Sequence, residues 1–206
     1  MPDPDTSDDG LPRSQAAMRN RSAILDGLRH ALPARGLVLE VASGTGEHVV
    51  HFAKWLTGLV FQPSDPDAQR RANVDARVRR AGLANVRPAL SLDAAGEQWP
   101  IGAADAVLCS NMIHIAPWPA ALGLICGAAN ILPAGGLFSL YGPFSRAGRH
   151  SVESNAAFDL DLQSRNPEWG VRDLDEVVSR ATYAGFAAPE IVVMPANNLL
   201  VLFRRH

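Results

Sequence analysis

Short apolar runs alternate along this chain with longer segments whose apolar residues recur every three to four positions. The apolar runs predict buried strands at 37–41, 59–62, 86–90, 105–110 and 137–141. Between them, helical periodicity covers 48–56, 66–81 and 117–132. Strands that alternate with helices favour a mostly parallel sheet covered by helices on both faces, which is an α/β three-layer sandwich.

The two ends of the chain depart from this alternation. Residues 1–11 are acidic and proline-rich, a composition typical of a disordered tail. We expect a single domain over 12–206, with an N-terminal cap helix within 12–32. After residue 141 the alternation stops, and 142–170 forms a polar and aromatic excursion that predicts a lid.

The last part of the sequence predicts one helix and a hairpin. A helix is expected over 173–184, followed by apolar runs at 191–194 and 199–203. The intervening Pro-Ala-Asn-Asn has the composition of a turn, so these runs should pair as a hairpin at the end of the sheet. A terminal hairpin after parallel strands differs from a plain dinucleotide-binding fold.

Composition narrows the class of protein. With 206 residues and 47% hydrophobic content, the chain can bury one sizeable core. A net charge of −2 does not favour binding to nucleic acid or to an anionic membrane. No run of about 18 apolar residues is present, and the two cysteines suit reduced thiols. We therefore expect a cytoplasmic protein with no membrane and no nucleic-acid partner.

The junction between the first strand and its helix suggests a ligand site. Glu40 lies near the end of the apolar run, and the small residues 42–46 separate it from the helix. Gly44 and Gly46 have no Cβ, so this loop can turn sharply and let a ligand lie against the backbone. A strand, a glycine loop and a helix present backbone N–H groups and a positive helix end, so we expect a nucleoside-containing cofactor here.

Two residues around this loop distinguish between cofactors. A dinucleotide fingerprint requires a small residue three positions after its second glycine, where this chain has the bulkier Val49. Glu40 would repel a pyrophosphate but suits the ammonium group of an amino acid. S-adenosylmethionine (SAM) has an amino-acid end, a ribose and no phosphate. The pattern therefore favours SAM, with S-adenosylhomocysteine (SAH) as its product, over NAD.

The other expected cofactor contacts follow successive strands, at the edge where such sheets bind ligands. Gln62 or Asp65, after the second strand, could bind the ribose hydroxyls; Asp65 could instead only cap the next helix. Asp93 follows the third strand and suits the adenine amino group. Ser110 and Asn111 follow the fourth strand, next to the expected position of the methyl acceptor.

Methyl transfer from a sulfonium is a direct displacement, so an enzyme mainly aligns the reacting atoms and excludes water. An acceptor that must lose a proton also benefits from a base. His114, just past the fourth strand, is either that base, an acceptor contact or a packing histidine. Tyr141 and Asp159 are further catalytic candidates, and no metal site is expected. Asp159 and Asp161 cannot share one helix face, so at most one points inward.

The acceptor pocket is expected to form mainly from the excursion. Its aromatic and charged side chains are typical of a pocket for a small molecule, although a solvated surface explains the charged ones equally well. An asparagine of the terminal hairpin could reach the same pocket or simply make the turn. The candidate acceptor-binding residues are His114, Trp118, Phe144, Phe158, Arg165, Trp169 and Asn197.

Seven ordered motifs resemble the class I SAM-dependent methyltransferase family that includes methyltransferase-like protein 26. They are Glu40–His48, Phe61–Asp67, Asn111–Trp118, Tyr141–Phe144, Asn155–Leu160, Arg165–Asp173 and Met194–Asn198. The resemblance covers about residues 18–206. It implies a Rossmann-like sheet of seven strands, mostly parallel, with an antiparallel last strand.

The resemblance also implies a set of cofactor residues but no acceptor. The implied positions are Asn20, Glu40, Ala42, Gly44, Gly46, Gln62, Asp93 and Asn111. Asn20, on the cap helix, would close over the cofactor. The acid usual at the end of the second strand in the wider superfamily is replaced here by Gln62, which leaves the ribose contact open between Gln62 and Asp65.

These observations predict an enzyme, a methyltransferase that moves the methyl group of SAM to an O or N atom of a small molecule. One alternative is a non-catalytic SAM-binding protein used in regulation or assembly. An NAD-dependent reductase is the other alternative. Either a monomer or a homodimer fits the sequence.

Overall fold

The computed structural model describes residues 10–206, in which strands and helices alternate before a smaller second sheet. The strands are β1 (Gly36–Val41), β2 (Leu59–Pro63), β3 (Ala106–Ser110), β4 (Leu137–Gly142), β5 (Phe144–Arg146), β6 (Arg149–His150), β7 (Arg172–Asp173), β8 (Glu190–Met194) and β9 (Asn198–Arg204). The α-helices are α1 (Gln15–Leu28), α2 (Glu47–Trp55), α3 (Ala68–Arg80), α4 (Trp118–Ile131), α5 (Glu153–Arg165) and α6 (Leu174–Tyr183).

The central sheet has six strands in the order β2-β1-β3-β4-β9-β8. Strands β1 to β4 pair in parallel, whereas β9 lies between β4 and β8 and runs antiparallel to both. This arrangement confirms the predicted α/β methyltransferase fold with its antiparallel C-terminal strand. The hairpin of β8 and β9 also forms as predicted.

The predicted count of seven strands is wrong by one. The segment 86–90 runs beside β2 and makes only isolated bridges, from Val86 to Phe61 and from Leu90 to Ser64. Pro63 and Pro88 lie between these bridges, and proline has no N–H to give to a ladder. The segment 86–90 therefore runs along the outer edge of the sheet, beside β2, without forming a continuous strand.

Apolar side chains fill both faces of the sheet. On one face, residues such as Val107 and Phe138 pack against α4 and α6. On the other face, residues such as Val38 and Leu108 pack beneath α1, α2 and α3. Because side chains alternate along a strand, both faces are apolar only when helices cover both, which explains the continuous apolar runs in the sequence.

Two helix starts differ from the simplest interpretation of the sequence. Helix α3 begins at Ala68, and Asp67 caps it by accepting the N–H of Arg70 at 2.9 Å. Asp65 is therefore not the cap of this helix. Helix α1 begins after Ser14, whose side chain accepts the N–H of Ala17 at 3.2 Å, and it ends at Leu28, earlier than the predicted cap helix.

The excursion after β4 is more regular than its sequence indicates. It contains the expected helix α5 and the strands β5 and β6, which form a three-stranded sheet in the order β6-β5-β7 with β7 just beyond the excursion. Strand β5 pairs with β7 through Phe144 and Arg172, which are far apart in the sequence. Because this pairing joins distant residues, local composition gave no sign of it.

The predicted disordered tail lies almost entirely outside the described residues, since the structure describes the chain from Gly10 onward. Leu11, at the end of that predicted tail, is buried. Across residues 10–206, no helix is both long and apolar enough to span a bilayer.

Candidate functional site

A cavity of about 690 Å³ opens where β1, β2 and β3 end at their carboxyl edge. Its walls come from the glycine loop, the loops after β2 and β3, the segment 92–95 and the start of α1. The lining includes Ser14, Ala17, Ala42, Gly44, Thr45, His48, Asp65, Arg70, Leu92, Asp93, Ala95, Ser110, Asn111, Met112 and Ala116.

The glycine loop turns sharply at the rim of this cavity. Ala42, Gly44 and Gly46 all have positive φ angles, of 57°, 58° and 81°. A Cβ on Gly44 would meet nothing closer than the Ala42 carbonyl oxygen at 4.0 Å, so Gly44 faces open space. A Cβ on Gly46 would lie 3.2 Å from Cγ2 of Val74 on α3, so this glycine permits close packing of the loop on a helix.

Asp65 supports the glycine loop from the end of β2 and also lines the cavity. Its Oδ2 atom accepts the N–H of Gly44 at 3.0 Å, and its Oδ1 atom accepts the N–H of Asp67 at 3.0 Å. A nearby guanidinium, that of Arg70, lies 4.0 Å from Oδ2. The Asp65 carboxylate is thus held by backbone donors at the cavity wall.

Gln62 does not line the cavity, although the resemblance placed it among the cofactor residues. Its Nε2 atom donates to the carbonyl oxygens of Pro88 at 2.7 Å and Pro63 at 3.1 Å. Gln62 therefore ties the segment 86–90 to β2. Of the two candidates for the ribose contact, the structure brings only Asp65 to the cavity wall.

The far end of the cavity is formed after β3 and at the segment 92–95. Asp93 is exposed there, and its Oδ1 atom accepts the N–H of Ala95 at 2.9 Å. Asn111 has a left-handed backbone with φ of 62°, and its N–H donates to the Tyr141 carbonyl oxygen at 2.8 Å. Asp93, Ser110 and Asn111 all line the cavity, as do the apolar side chains of Leu92 and Met112.

Glu40 lies beneath the glycine loop and is almost fully buried. Its Oε2 atom has no hydrogen-bond partner. Burial raises the pKa of Glu40 to about 7, the Ser43 hydroxyl opposes this increase, and the carboxylates of Glu47 and Asp65 add to it. Glu40 is not part of the cavity wall, yet an unpaired buried carboxyl next to a loop suits a cationic ligand group.

Asn20 and His48 connect the cap helix to the same loop region. His48 lines the cavity, and its Nε2 atom lies 2.7 Å from Oδ1 of Asn20. The side chains of Asn20 and Asn198 also form hydrogen bonds with the Tyr141 hydroxyl. Burial raises the pKa of Tyr141 while these bonds lower it less, so the phenol stays protonated at neutral pH. Tyr141 is therefore better suited to donate a hydrogen bond than to act as a base.

His114 is not placed as a base for the cavity. Its Nδ1 atom accepts the N–H of Arg172 at 3.4 Å, so the proton of the neutral ring lies on Nε2. Burial, followed by the charge of Arg172, lowers the pKa of His114 to about 3. The ring packs edge-on against Phe144, and a Cβ on Gly142 would lie only 2.4 Å from Nε2. Of the three alternatives for His114, a base, an acceptor contact or a packing histidine, these contacts support the packing role.

The family of this chain follows from its sequence profile. Residues 12–205 match the family described as protein of unknown function (DUF938). The chain belongs to this family. The more specific resemblance to the relatives of methyltransferase-like protein 26 stays a prediction.

Solved structures of methyltransferases share the fold of this DUF938 protein. An O-methyltransferase family protein from Burkholderia thailandensis matches with a TM-score of 0.79 at 18% identity, over 92% of this chain and 57% of its own. Human N-acetylserotonin methyltransferase in complex with SAM matches with a TM-score of 0.76 at 13% identity, over 93% and 53%. PigF with SAH gives 0.75 at 18% identity, over 93% and 64%. The chain thus spans less than two thirds of each of these proteins.

The predicted acceptor residues of this DUF938 protein do not line the cavity. Trp118, Phe144, Phe158, Arg165, Trp169 and Asn197 are all absent from its lining. Arg165 instead lies over the ring of Trp169 and pairs with Asp161 at 3.8 Å, and Phe158 is partly exposed. Both oxygens of Asp159 are engaged, one by the N–H of Val171 and the other by His150. Asp159 does not line the cavity either.

Arg172 is a residue whose importance the sequence did not indicate. Its guanidinium donates to the carbonyl oxygens of Ile113 at 2.8 Å, Ala116 at 2.6 Å and Glu168 at 2.8 Å. It also lies over the ring of Trp118. Since Ala116 lines the cavity, Arg172 ties one cavity wall to the end of the excursion. Its partners are backbone carbonyls, so no charge pattern in the sequence could have revealed them.

Among residues 10–206, no group of three or more His, Cys, Asp or Glu side chains could hold a metal ion.

Proposed function

We propose that this protein binds SAM in the cavity at the strand ends and transfers its methyl group to an O or N atom of a small molecule. One observation carries the proposal. Six residues expected from sequence to contact the cofactor converge on a single cavity: Ala42, Gly44, Asp65, Asp93, Ser110 and Asn111. The fold supports it further, since proteins of this fold have been solved with SAM and with SAH.

Each part of SAM has a chemically suited neighbour in this cavity. The amino-acid end would lie along Gly44 and Thr45, with the Glu40 carboxyl beneath the loop for its ammonium group. The ribose hydroxyls would face Asp65, because a carboxylate binds two hydroxyls more strongly than an amide does. The adenine would lie between the apolar residues Leu92 and Met112, with its amino group toward Asp93.

The residues around the loop favour SAM over a dinucleotide. Val49, fully buried, occupies the position where a dinucleotide fold needs a small residue. Burial is the main cause of the raised pKa of Glu40, and the nearby carboxylates of Glu47 and Asp65 add to it, so acidic groups with negative charge lie around the loop. This charge attracts an ammonium group and repels a pyrophosphate.

The proposed transfer depends on alignment more than on proton removal. The methyl group would emerge near Ser110 and Asn111, and the surrounding walls would exclude water. Neither His114 nor Asp159 has a free basic atom at the cavity, and Tyr141 stays protonated. We therefore propose an acceptor that ionises readily or reacts without prior loss of a proton.

A non-catalytic SAM-binding protein is the second candidate. It is favoured by one observation, which is that none of the predicted acceptor residues of the excursion lines the cavity. Regulation or assembly would then depend on cofactor binding alone. The two candidates share the cofactor site and differ only in turnover.

Calorimetry with SAM, SAH and NADH tests the cofactor. We expect SAM and SAH to bind at micromolar concentrations or tighter and NADH not to bind. Asp93→Ala should weaken SAH binding, while Asp161→Ala, an exposed aspartate beside Arg165, serves as the matched control. Binding of NADH in preference to SAM would refute the proposal.

An assay with methyl-labelled SAM and a panel of phenols, amines and carboxylates then separates the two candidates. Label transfer to any member of the panel that Asp93→Ala slows and Asp161→Ala leaves unchanged would support catalysis. Tight SAM binding with no transfer to any acceptor would favour the non-catalytic protein.

A further inference from the structure

A buried ion pair between α2 and α3 lies next to the cofactor cavity without being part of its wall. An Nη2 atom of Arg77 lies 3.5 Å from Oε1 of Glu47. The Glu47 side chain is 1% exposed and that of Arg77 is 15% exposed. Burial of an ion pair is costly unless its remaining donor and acceptor atoms form hydrogen bonds. The other hydrogen-bond partners of this pair therefore show which parts of the chain it holds in place.

The other partners of the pair lie in the glycine loop and in the segment before α1. The Thr45 hydroxyl donates to Oε2 of Glu47, and Nε of Arg77 donates to the Thr45 carbonyl oxygen at 2.8 Å. Oε1 of Glu47 accepts the N–H of Ser14 at 3.0 Å. Nη2 of Arg77 donates to the Pro12 carbonyl oxygen at 2.5 Å. The pair thus bonds two separate pieces of backbone at once.

Both of these pieces lead to the cavity. Thr45 lines it within the glycine loop, and Ser14 and Ala17 line it at the start of α1. Ser14 also caps α1 by accepting the N–H of Ala17, so the bond from Ser14 to Glu47 fixes the position of the first helical turn. We call residues 12–17 the N-terminal strap.

We propose that Glu47 and Arg77 are positioning residues for the cofactor: they hold the N-terminal strap against the glycine loop and so retain the amino-acid end of SAM. This inference rests on the proposed function. Glu47 and Arg77 do not themselves touch the cofactor. Their effect passes through Ser14 and Thr45, which border the part of the cavity where the amino-acid end would lie.

The strength of these bonds leads to an expectation for the rate of cofactor release. Hydrogen bonds to charged groups stabilise more than neutral ones, and removal of one member leaves the other charge buried without a partner. If the strap must move away before the cofactor leaves, the loss of these bonds speeds dissociation. A rate constant of dissociation is measured on folded, loaded protein only, so a lower folded fraction does not change it.

Stopped-flow displacement of bound SAH by excess SAM is the test, with the full chain as wild type, Arg77→Met, Arg77→Lys and Glu47→Gln. The matched control is Arg79→Met, an exposed arginine two positions further along α3. We expect Arg77→Met to raise the dissociation rate by about tenfold, which corresponds to the loss of about one charged hydrogen bond. Arg77→Lys keeps the charge and should give a smaller increase, and Arg79→Met should match the wild type.

The outcomes separate this inference from the proposed function. If the wild type binds SAH and Arg77→Met and Glu47→Gln both release it at the wild-type rate, the positioning role is refuted while the cofactor site stands. A wild-type protein that binds neither SAM nor SAH refutes both. If Arg77→Met is too unstable to isolate, Arg77→Lys and Glu47→Gln decide the question by the same comparison.

Discussion

His48 and Asn20 form a hydrogen bond of 2.7 Å that joins α2 to the cap helix α1. Because an amide oxygen only accepts, Nε2 of His48 is the nitrogen that carries the proton when the ring is neutral. Burial, followed by the charges of His51 and Arg21, lowers the pKa of His48 to about 4. Burial in the folded chain therefore favours the uncharged form of this histidine.

The lowered pKa of His48 predicts a pH-dependent contribution to stability. The unfolded chain binds a proton at His48 near pH 6.5, whereas the folded chain does so only near pH 4. The unfolded state thus binds more protons between these values, and the contribution of His48 to stability is lost as the pH falls from about 6.5 to about 4.

Denaturant unfolding of wild type and His48→Gln at several pH values measures this contribution. Glutamine can still donate to Asn20 but does not titrate. We expect the stability advantage of the wild type to shrink by up to about 1.4 kcal/mol per pH unit across the window. A difference that does not vary with pH would contradict the prediction.

The raised pKa of Glu40 predicts that cofactor affinity depends on pH. Glu40 becomes charged as the pH rises, whereas His48 becomes charged as the pH falls. Its pKa is raised to about 7, mainly by burial, so a large fraction is protonated at pH 6. If the ammonium group of SAM binds the carboxylate, affinity should rise between pH 6 and pH 8 and binding should release a proton. Glu40→Gln should bind about tenfold more weakly without this pH dependence.

Calorimetry in two buffers of different ionisation enthalpy gives the number of protons released. The same pH profile in wild type and Glu40→Gln would show that Glu40 does not pair with the cofactor.

The two glycines of the loop should respond differently to valine. Gly44 faces open space at the cavity, so Gly44→Val should lower SAH affinity by at least about tenfold, at a backbone cost of about 1 kcal/mol. Gly46 packs against Val74, so Gly46→Val should mainly lower the melting temperature. Thermal unfolding and calorimetry on both variants make the comparison. Equal losses of affinity and stability in the two variants would contradict it.

Asp65 and Gln62 offer a second matched comparison. Asp65→Asn should weaken SAH binding by about tenfold, because a neutral amide binds ribose hydroxyls less strongly than a carboxylate. Gln62→Leu removes the donor to the Pro88 carbonyl oxygen, so it should reduce stability and leave affinity nearly unchanged. If Gln62→Leu proved the weaker binder of the two in calorimetry, the ribose contact would have to be reassigned.

Arg172 should be far more sensitive to substitution than a surface arginine. Arg172→Leu removes three bonds to backbone carbonyls, and we expect it to cost about 3 kcal/mol of unfolding free energy. Arg180→Leu breaks only an exposed pair with Glu176, so a change within about 0.5 kcal/mol is expected. Urea unfolding measures both. Similar losses in the two variants would show that Arg172 is not a structural tie.

The sequence predicted the elements whose signal is local. Periodic apolar positions located β1 to β4 and α2 to α4, and the loop at Gly44 and Gly46 located the cavity. The predicted seventh strand, which does not form, is a case in which the local sequence pattern does not determine the structure. The segment 86–90 is apolar enough for a strand, but Pro63 and Pro88 meet across the ladder only in the folded chain.

Functional side chains were harder to place than elements. Asp65 was distinguishable from Gln62 only once their partners were known, since either side chain can bind a hydroxyl. His114 follows β3 as predicted, yet its ring direction depends on Gly142 and Arg172, which are remote in the sequence. Arg172 and Arg77 donate hydrogen bonds to backbone carbonyl oxygens. Every residue has such an oxygen, so the sequence does not show which ones an arginine contacts.

The position of β9 between β4 and β8 also constrains how the chain folds during synthesis. An interior strand of the central sheet comes from residues 198–204, which leave the ribosome after the other strands of residues 10–206. Until then the nascent chain has β4 with one unpaired edge and β8 with no neighbour, an arrangement prone to wrong pairing and aggregation. We expect the central sheet to close only after translation of β9, and ribosome-bound chains stalled before residue 198 to be sensitive to proteases.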